Sequence, residues 1–445
     1  MSGTPESRLL LIGSALSAQA AARLALAHGW SVSLVDDRPL APALAESFTE
    51  LGVTLLPSAE SALSCNPSLI VPSPAVPMNH PVIQAAHRRQ IPVRSEISFA
   101  RSWVPAHLVG ITGSNGKTTT TALCAALLQA GGLRAAAGGN IGVPLAELAM
   151  ADTPWDALAL ELSSYQLETT EDLAVDAAVL LNLSEDHLAR HGSLEAYGDT
   201  KFRLAHQLAP EGVVIHGDED VFFAPRVRAA GLTAWRFGTR EDCEMQLDGQ
   251  MIRFQLAGLA DWLDTRELKL QGRHNAWNVM AATLAAWKLG VDARVLAEAA
   301  RRFAPLAHRL EPVPSPHPAR WINDSKATNA DAGLQAVLSA PATGRLILLA
   351  GGEAKGPDFN DVARALTERG ARAILFGRDR ELILAGLQPG VPCDLCDTLD
   401  QAVALAASRT GAGDTVLFSP LCASFDQYRN YEHRGDHFRQ LAGAL

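Results

Sequence analysis

The densest chemistry in the sequence lies in Gly113-Ser114-Asn115-Gly116-Lys117-Thr118, with Thr119 behind it. Glycines at a strand-to-helix turn let the backbone approach a ligand, and N–H groups at the start of a helix converge on anionic oxygens. A lysine at the next position reaches the outer phosphates of a nucleotide, and the hydroxyl after it can ligate Mg²⁺. The outer glycine of the full Walker pattern would fall at position 111, which is Ile111, so the match is to the shorter core of that motif. The competing reading, a glycine turn that only starts a helix, is disfavoured by the apolar strand before it and the helix TTTTALCAALLQA after it.

A bound triphosphate needs a cation, so oxygen ligands are expected at nearby strand ends. Glu161 closes the apolar run ALALEL, and Asp186 and His187 follow AAVLLNL. Mg²⁺ prefers carboxylates and water. Histidine is a less usual ligand, and a lone strand-end histidine is more often structural. Three such loops on one sheet edge nevertheless form a constellation, because open α/β sheets collect ligands at the carboxyl ends of their strands.

The elements that position these groups alternate strand and helix. Apolar runs at Leu9–Ile12, Val32–Val35 and Ser68–Val71 read as strands, with SAQAAARLALAHG as a helix closed by Gly29. Further strands are expected at 107–111, 157–160, 177–181, 321–322, 346–349, 373–376 and 415–418, and another element at Leu268–Gly272 before the helical stretch NAWNVMAATLAAWKLG. Alternation of this kind predicts an α/β protein with parallel sheets. Three domains are expected: residues 1–103, Rossmann-like; 104–305, a P-loop ATPase-like parallel or mixed sheet; and 306–445, Rossmann-like again. Gly13-Ser14-Ala15 keeps only the first glycine of a dinucleotide fingerprint, which argues against NAD. Asp36, at the end of the second strand, is equally compatible with a sugar contact and with a solvated turn.

Composition narrows the partners. With 445 residues, 48% hydrophobic and a net charge of −10, the chain can bury several cores and is a poor ligand for nucleic acid or anionic membrane. No apolar run reaches membrane-spanning length and the N-terminus lacks a secretory pattern, so a soluble cytoplasmic monomer is expected. The six cysteines are too few for a disulfide framework, and Cys393-x-x-Cys396, lacking a second pair, reads as two ordinary cysteines rather than half a zinc site.

Taken in order, GITGSNGKTTTT, GGNIG (138–142), ELSSYQLETT (161–170), NLSEDHLARHGSLEAYGDTKFRL (182–204), LQGRHNAWN (270–278), HRLEPV (308–313), WINDSKATN (321–329), LLAGGEAKGPDF (348–359) and SPLCASFDQYRNYEHRGDHF (419–438) resemble the Mur ligase family. The resemblance implies ATP-dependent amide ligation of D-glutamate to UDP-N-acetylmuramoyl-L-alanine, for peptidoglycan precursors. Within it, Gly113 to Thr119 would hold ATP, and Thr118, Glu161 and His187 would hold magnesium, two ions in all. Lys201 would carry a carbamate, whose two oxygens can ligate a cation that a protonated amine repels. Read from the residues alone, Lys201 is an ordinary helix lysine. The resemblance further places Asn140, Ser163 and Gln166 along the muramoyl-alanine arm, and Asn275 and Asn278 at the adenine. It places Arg309 at nucleotide phosphate, Asp324 at the ribose and Lys326 at the transferring phosphate, and Thr328, Lys355, Ser424 and Tyr431 around glutamate. Asp36, Asp37, Arg38 and Ser73 would meet the uridine diphosphate sugar. The first hundred residues match least: Ala75 stands where the family has glycine in Ser-Pro-Gly. Two other readings are a sister or folylpolyglutamate-like ligase and a P-loop ATPase or binding module without ligation.

Overall fold

The computed structural model describes residues 7–341, 344–354 and 358–445, with the side chain of Asp331 left aside. Among the described residues there are three sheets. The first contains β1 (Arg8–Ile12), β2 (Ser31–Val35), β3 (Thr54–Leu55) and β4 (Leu69–Pro72), all parallel, in the order β3-β2-β1-β4. The chain winds outward from β1 and then jumps back to β4. The loops after β1 and β4 therefore diverge at a switch point, where an open sheet leaves a crevice.

The second sheet has nine strands: β5 (His107–Thr112), β6 (Ala135–Gly139), β7 (Ala157–Glu161), β8 (Val175–Leu180), β9 (Leu208–Gly217), β10 (Ala234–Gly238), β11 (Met245–Asp248), β12 (Met251–Phe254) and β13 (Leu259–Asp264). Their order is β13-β12-β11-β10-β9-β8-β5-β7-β6, parallel from β6 through β11, with β12 and β13 antiparallel at the far edge. β5 lies between β7 and β8 and is buried from Leu108 to Thr112, as a parallel strand covered on both faces must be. The third sheet has β14 (Glu311–Val313), β15 (Arg320–Asn323), β16 (Leu346–Gly351), β17 (Arg372–Phe376), β18 (Cys393–Leu395) and β19 (Thr415–Phe418), in the order β14-β15-β19-β16-β17-β18, with β14 alone antiparallel.

The chain gathers into two compact units. One holds residues up to Leu268 together with Trp277–Phe303, and so contains the first two sheets; the other holds Lys269–Ala276 and Ala304–Leu445. Within the first unit, one continuous core runs from β1 and its helix Leu16–Ala27 to β7 and β8. Small side chains on that helix (Ala18, Ala21, Ala22, Ala25) allow close approach to the sheet.

One expectation is corrected. Leu268–Gly272 forms no helix or strand; it is the loop leading into the helix Arg273–Lys288, where Gly272 adopts a positive φ of 98°. No helix starts in the segment Asp324-Ser325-Lys326 after β15. The next helix begins at Ala330, and its N-cap is Asn329, whose side chain accepts from the Ala332 N–H. The six cysteines are free thiols, and no helix among the described residues is long and apolar enough to cross a membrane.

Candidate active site

At the end of β5 the chain turns through Gly113 and Gly116 and enters the helix Lys117–Ala130. Gly116 has a φ of 81°, and a Cβ there would sit 2.5 Å from the Asn278 Oδ1, so glycine is required on both counts. Lys117 folds back over the turn: its ammonium donates to the carbonyls of Gly113 and Ser114, at 2.8 Å each. The loop is pinned from β8's end, where the Asn182 side chain accepts from the Asn115 N–H at 2.9 Å and Ser114 Oγ donates to the Ser184 carbonyl at 3.0 Å. Thr119 is buried in the first helical turn, and the Thr120 hydroxyl donates to the Asn278 side chain.

Thr118 Oγ1 lies 2.7 Å from Glu161 Oε2, and the other Glu161 oxygen accepts from the Asn140 side chain at 2.7 Å. Strands β5, β6 and β7 thus bring their ends onto one carboxylate. Gly139 makes this approach possible. Its φ is 94°, and a Cβ would lie 2.4 Å from the Glu161 carbonyl oxygen. Hard oxygen donors converging in this way fit Mg²⁺. The described residues contain no cluster of three His, Cys, Asp or Glu side chains suited to a metal; the expected ligand set contains only two of those types, Glu161 and His187. His187 sits at a φ of 56°, with its ring between the Tyr165 hydroxyl (3.1 Å) and Asp186 (3.6 Å).

Lys201 is the most unusual group. It is 1% exposed, its ammonium donates to the Gly113 carbonyl at 2.8 Å, and its nitrogen lies 4.3 Å from the centre of the Tyr197 ring. Burial first, and the nearby charge of Lys117 second, hold its pKa well below that of an ordinary lysine, while Asp186 and Glu161 act in the opposite sense. A lowered pKa favours the neutral amine, the form of lysine that adds CO₂. Its surroundings therefore fit the carbamate that the sequence resemblance implies.

Ser163 and Gln166 turn their polar atoms on each other. They close a capping box on the short helix Ser164–Leu167, with Ser163 Oγ donating to Gln166 Oε1 at 3.0 Å. In the first sheet, the Ser14 hydroxyl donates to Asp36 at 2.8 Å, and Asp36 also accepts from the Arg38 N–H. Asp37 pairs with His80 at 3.0 Å. Ser73, at the end of β4, is buried, and its hydroxyl has no hydrogen-bond partner.

The second unit gathers another set. Asp324, at the end of β15, accepts from Ser419 Oγ at 2.9 Å and from the Leu310 N–H at 3.2 Å. Complete burial raises its pKa to about 7, against the opposing pull of these hydrogen bonds and of Arg309. The Lys326 ammonium lies 4.0 Å from the centre of the Tyr431 ring. Ser424 is buried at the end of the β19 loop and Thr328 is half-buried. Asn275 donates to the Gln271 carbonyl. Lys355 lies outside the described residues.

Several groups were missed by sequence reasoning. Arg434 is fully buried and donates to Ser325, Cys422 and Ala423, so it joins the ends of β15 and β19; burial lowers its pKa to about 10. Tyr197 and the Glu168–Arg190 pair were also missed. All three lie inside segments already singled out, but their importance comes from partners far away in the chain.

The chain matches known proteins along nearly all its length. Residues 111–286 match the Mur ligase middle domain, and residues 308–422 match the Mur ligase glutamate ligase domain. The UDP-N-acetylmuramoylalanine–D-glutamate ligase of Chlorobium luteolum is 36% identical over 451 residues, covering 98% of this chain and 98% of that protein. The protein of the same name from Thermosynechococcus vestitus is 39% identical over 458 residues, covering 97% and 98%. Among solved structures, the Thermotoga maritima UDP-N-acetylmuramate-alanine ligase superposes with a TM-score of 0.61 at 17% identity, covering 97% of this chain and 98% of that one. The MurF ligase from the same organism, solved in complex with ADP, also gives 0.61 at 17% identity, covering 99% and 97%.

Proposed function

The chain belongs to the Mur ligase family, and we propose that it joins D-glutamate to the alanyl carboxylate of UDP-N-acetylmuramoyl-L-alanine at the expense of ATP, within three functional domains near residues 1–103, 104–305 and 306–445. The observation that carries this reading is the convergence of Lys117, Thr118, Glu161 and Lys201 on one sheet edge. A carboxylate does not form an amide in water without activation. An alanyl carboxylate oxygen attacks the γ-phosphorus of ATP, the bond to ADP breaks, and an acyl phosphate results. The glutamate amine then adds to the acyl carbon, loses a proton, and the tetrahedral centre collapses with departure of inorganic phosphate.

In this scheme the residues mainly position reactants and neutralise charge. Lys117 exchanges its two backbone carbonyl partners for phosphate oxygens, and the N–H groups at the start of its helix face the same anion. Thr118, Glu161, His187 and the carbamate of Lys201 are the residues that hold Mg²⁺, which when bound supplies positive charge to the phosphates. Asn278 serves the adenine side together with Asn275. Arg309 serves nucleotide phosphate, Asp324 the ribose and Lys326 the transferring phosphate. Thr328, Ser424 and Tyr431, with Lys355 as the resemblance implies, serve the glutamate. Asp36, Asp37, Arg38 and Ser73 take the uridine diphosphate sugar, with Asn140, Ser163 and Gln166 along its muramoyl arm.

Phosphate release from ATP tests the reading, with Mg²⁺, UDP-N-acetylmuramoyl-L-alanine and either D-glutamate, L-glutamate or no amino acid. Release only with D-glutamate is expected. Release with L-glutamate alone overturns the substrate, and release without any amino acid favours a plain ATPase.

A further inference from the structure

Arg190 lies on the four-residue helix Leu188–His191, three residues beyond His187. Its guanidinium makes four hydrogen bonds in two directions. Towards the central sheet, Nε donates to Glu168 Oε1 at 3.0 Å and Nη2 donates to Glu168 Oε2. Towards the first sheet, Nη1 donates to the Ala75 carbonyl at 3.3 Å and Nη2 to the Val76 carbonyl at 2.8 Å. The same guanidinium lies 4.9 Å from the centre of the Tyr165 ring, and the Tyr165 hydroxyl holds His187 at 3.1 Å. The arginine and glutamate side chains are only 15% and 13% exposed, so this is no solvated surface pair. Next in the chain, His191 braces the arrangement: it meets Ser164 Oγ at 3.0 Å and approaches Glu168 at 3.8 Å.

We infer that Arg190, oriented by Glu168, is a positioning residue that ties the loop after β4 to the loop carrying His187, so that nucleotide binding at the central edge orders the loop that receives the sugar nucleotide. The planar five-donor fork explains the residue type. It grips a carboxylate with one edge and two carbonyls with the rest, which a lysine ammonium cannot do in that geometry. Because the bridge also carries the aromatic ring that fixes His187, a shift on either side is felt on the other. The inference rests on the proposed reading only for what binds at each edge, and reciprocity then requires the sugar nucleotide to tighten nucleotide binding by the same factor.

Amide hydrogen exchange of residues 73–78, measured with and without Mg·ADP, tests this without any turnover. In the unmodified protein Mg·ADP is expected to slow exchange there by at least about fivefold. Arg190→Ala is expected to abolish that slowing, and Arg190→Lys, which keeps the charge and loses the fork, to abolish most of it. Arg23→Ala, which breaks the ion pair of Arg23 with Glu147 elsewhere in the same unit, is expected to retain it. Melting temperatures of the three variants separate coupling from folding: a merely structural Arg190 would lower the melting temperature and leave the nucleotide-dependent slowing intact. The inference is overturned if both Arg190 variants show the full slowing, if Arg23→Ala loses it equally, or if the unmodified protein shows none. The phosphate-release assay decides the ligase reading separately, since the exchange measurement uses only Mg·ADP.

Discussion

The first two sheets both end parallel strands in polar loops, yet they hold those loops in opposite ways. At the central edge almost every polar atom is spoken for inside the protein. Lys117 and Lys201 share the Gly113 carbonyl, Thr118 and Asn140 share Glu161, and Asn182 pins Asn115. At the edge of the first sheet, Asp37 is 63% exposed, Arg38 is exposed, and Ser73 is buried with an unused hydroxyl. The difference matches what the proposed function asks of each edge. Moving a phosphoryl group requires preorganised charge that costs no rearrangement at the moment of reaction, whereas holding a sugar nucleotide needs only shape and a few hydrogen bonds. The central edge is therefore costly to build and intolerant of change, and the first edge is cheap and adaptable. Ala75, a departure from the family's glycine, falls on the adaptable side.

The largest expected effect tests the rigid side. Lys117→Ala should lower kcat/KM for ATP by at least about 10³-fold, because it removes charge from the phosphates. A loss below tenfold, read by phosphate release, would break the contrast. Lys201→Gln comes next, at about 10²-fold. Unmodified protein assayed in CO₂-depleted buffer should slow in the same sense and recover on adding bicarbonate, while the variant should respond to neither.

The third sheet supplies an intermediate case, because Asp324 is buried and its pKa stands at about 7 instead of the ordinary 3.8. A carboxyl raised on folding favours the neutral folded form. Its contribution is complete below about pH 4 and is lost as the pH rises through 7. Asp324→Asn should therefore be more stable than the unmodified protein at pH 8, by on the order of 2 kcal/mol, and about equal to it near pH 4. Denaturant midpoints across that range check the sign. The smallest effect tests the adaptable side: Asp36→Asn should raise the KM for the sugar nucleotide by about tenfold, with kcat changed less than about twofold. A drop in kcat as large as that of Lys201→Gln would erase the distinction between the two edges.

Much of the central site was legible in the chain because its parts are local. A strand, a glycine turn, a lysine and a hydroxyl occupy Ile111 to Thr118, and short-range geometry dictates where their N–H groups point. Glu161 and His187 were legible as strand-end residues because alternating apolar runs announce where strands stop. The loop at 268–272 was misread because a short apolar stretch before a helix has no period of its own.

The amino-acid sequence by itself determined the alternation of strands and helices, the phosphate-binding turn and the types of side chain at the strand ends. Each of these depends on neighbours within a few residues, and local sterics and hydrogen bonding decide them. Only the tertiary structure decided that Lys201 loses its ordinary affinity for protons, since the carbonyl it meets belongs to Gly113, 88 residues away, and desolvation is a property of everything packed around it. The same holds for Arg434, which reaches Ser325 across 109 residues, and for Arg190, which reaches Val76 across 114. A guanidinium on a surface helix and one buried in a web of carbonyls are spelled alike in a sequence. Burial and the choice of partner separate them, and both arise only when distant segments pack.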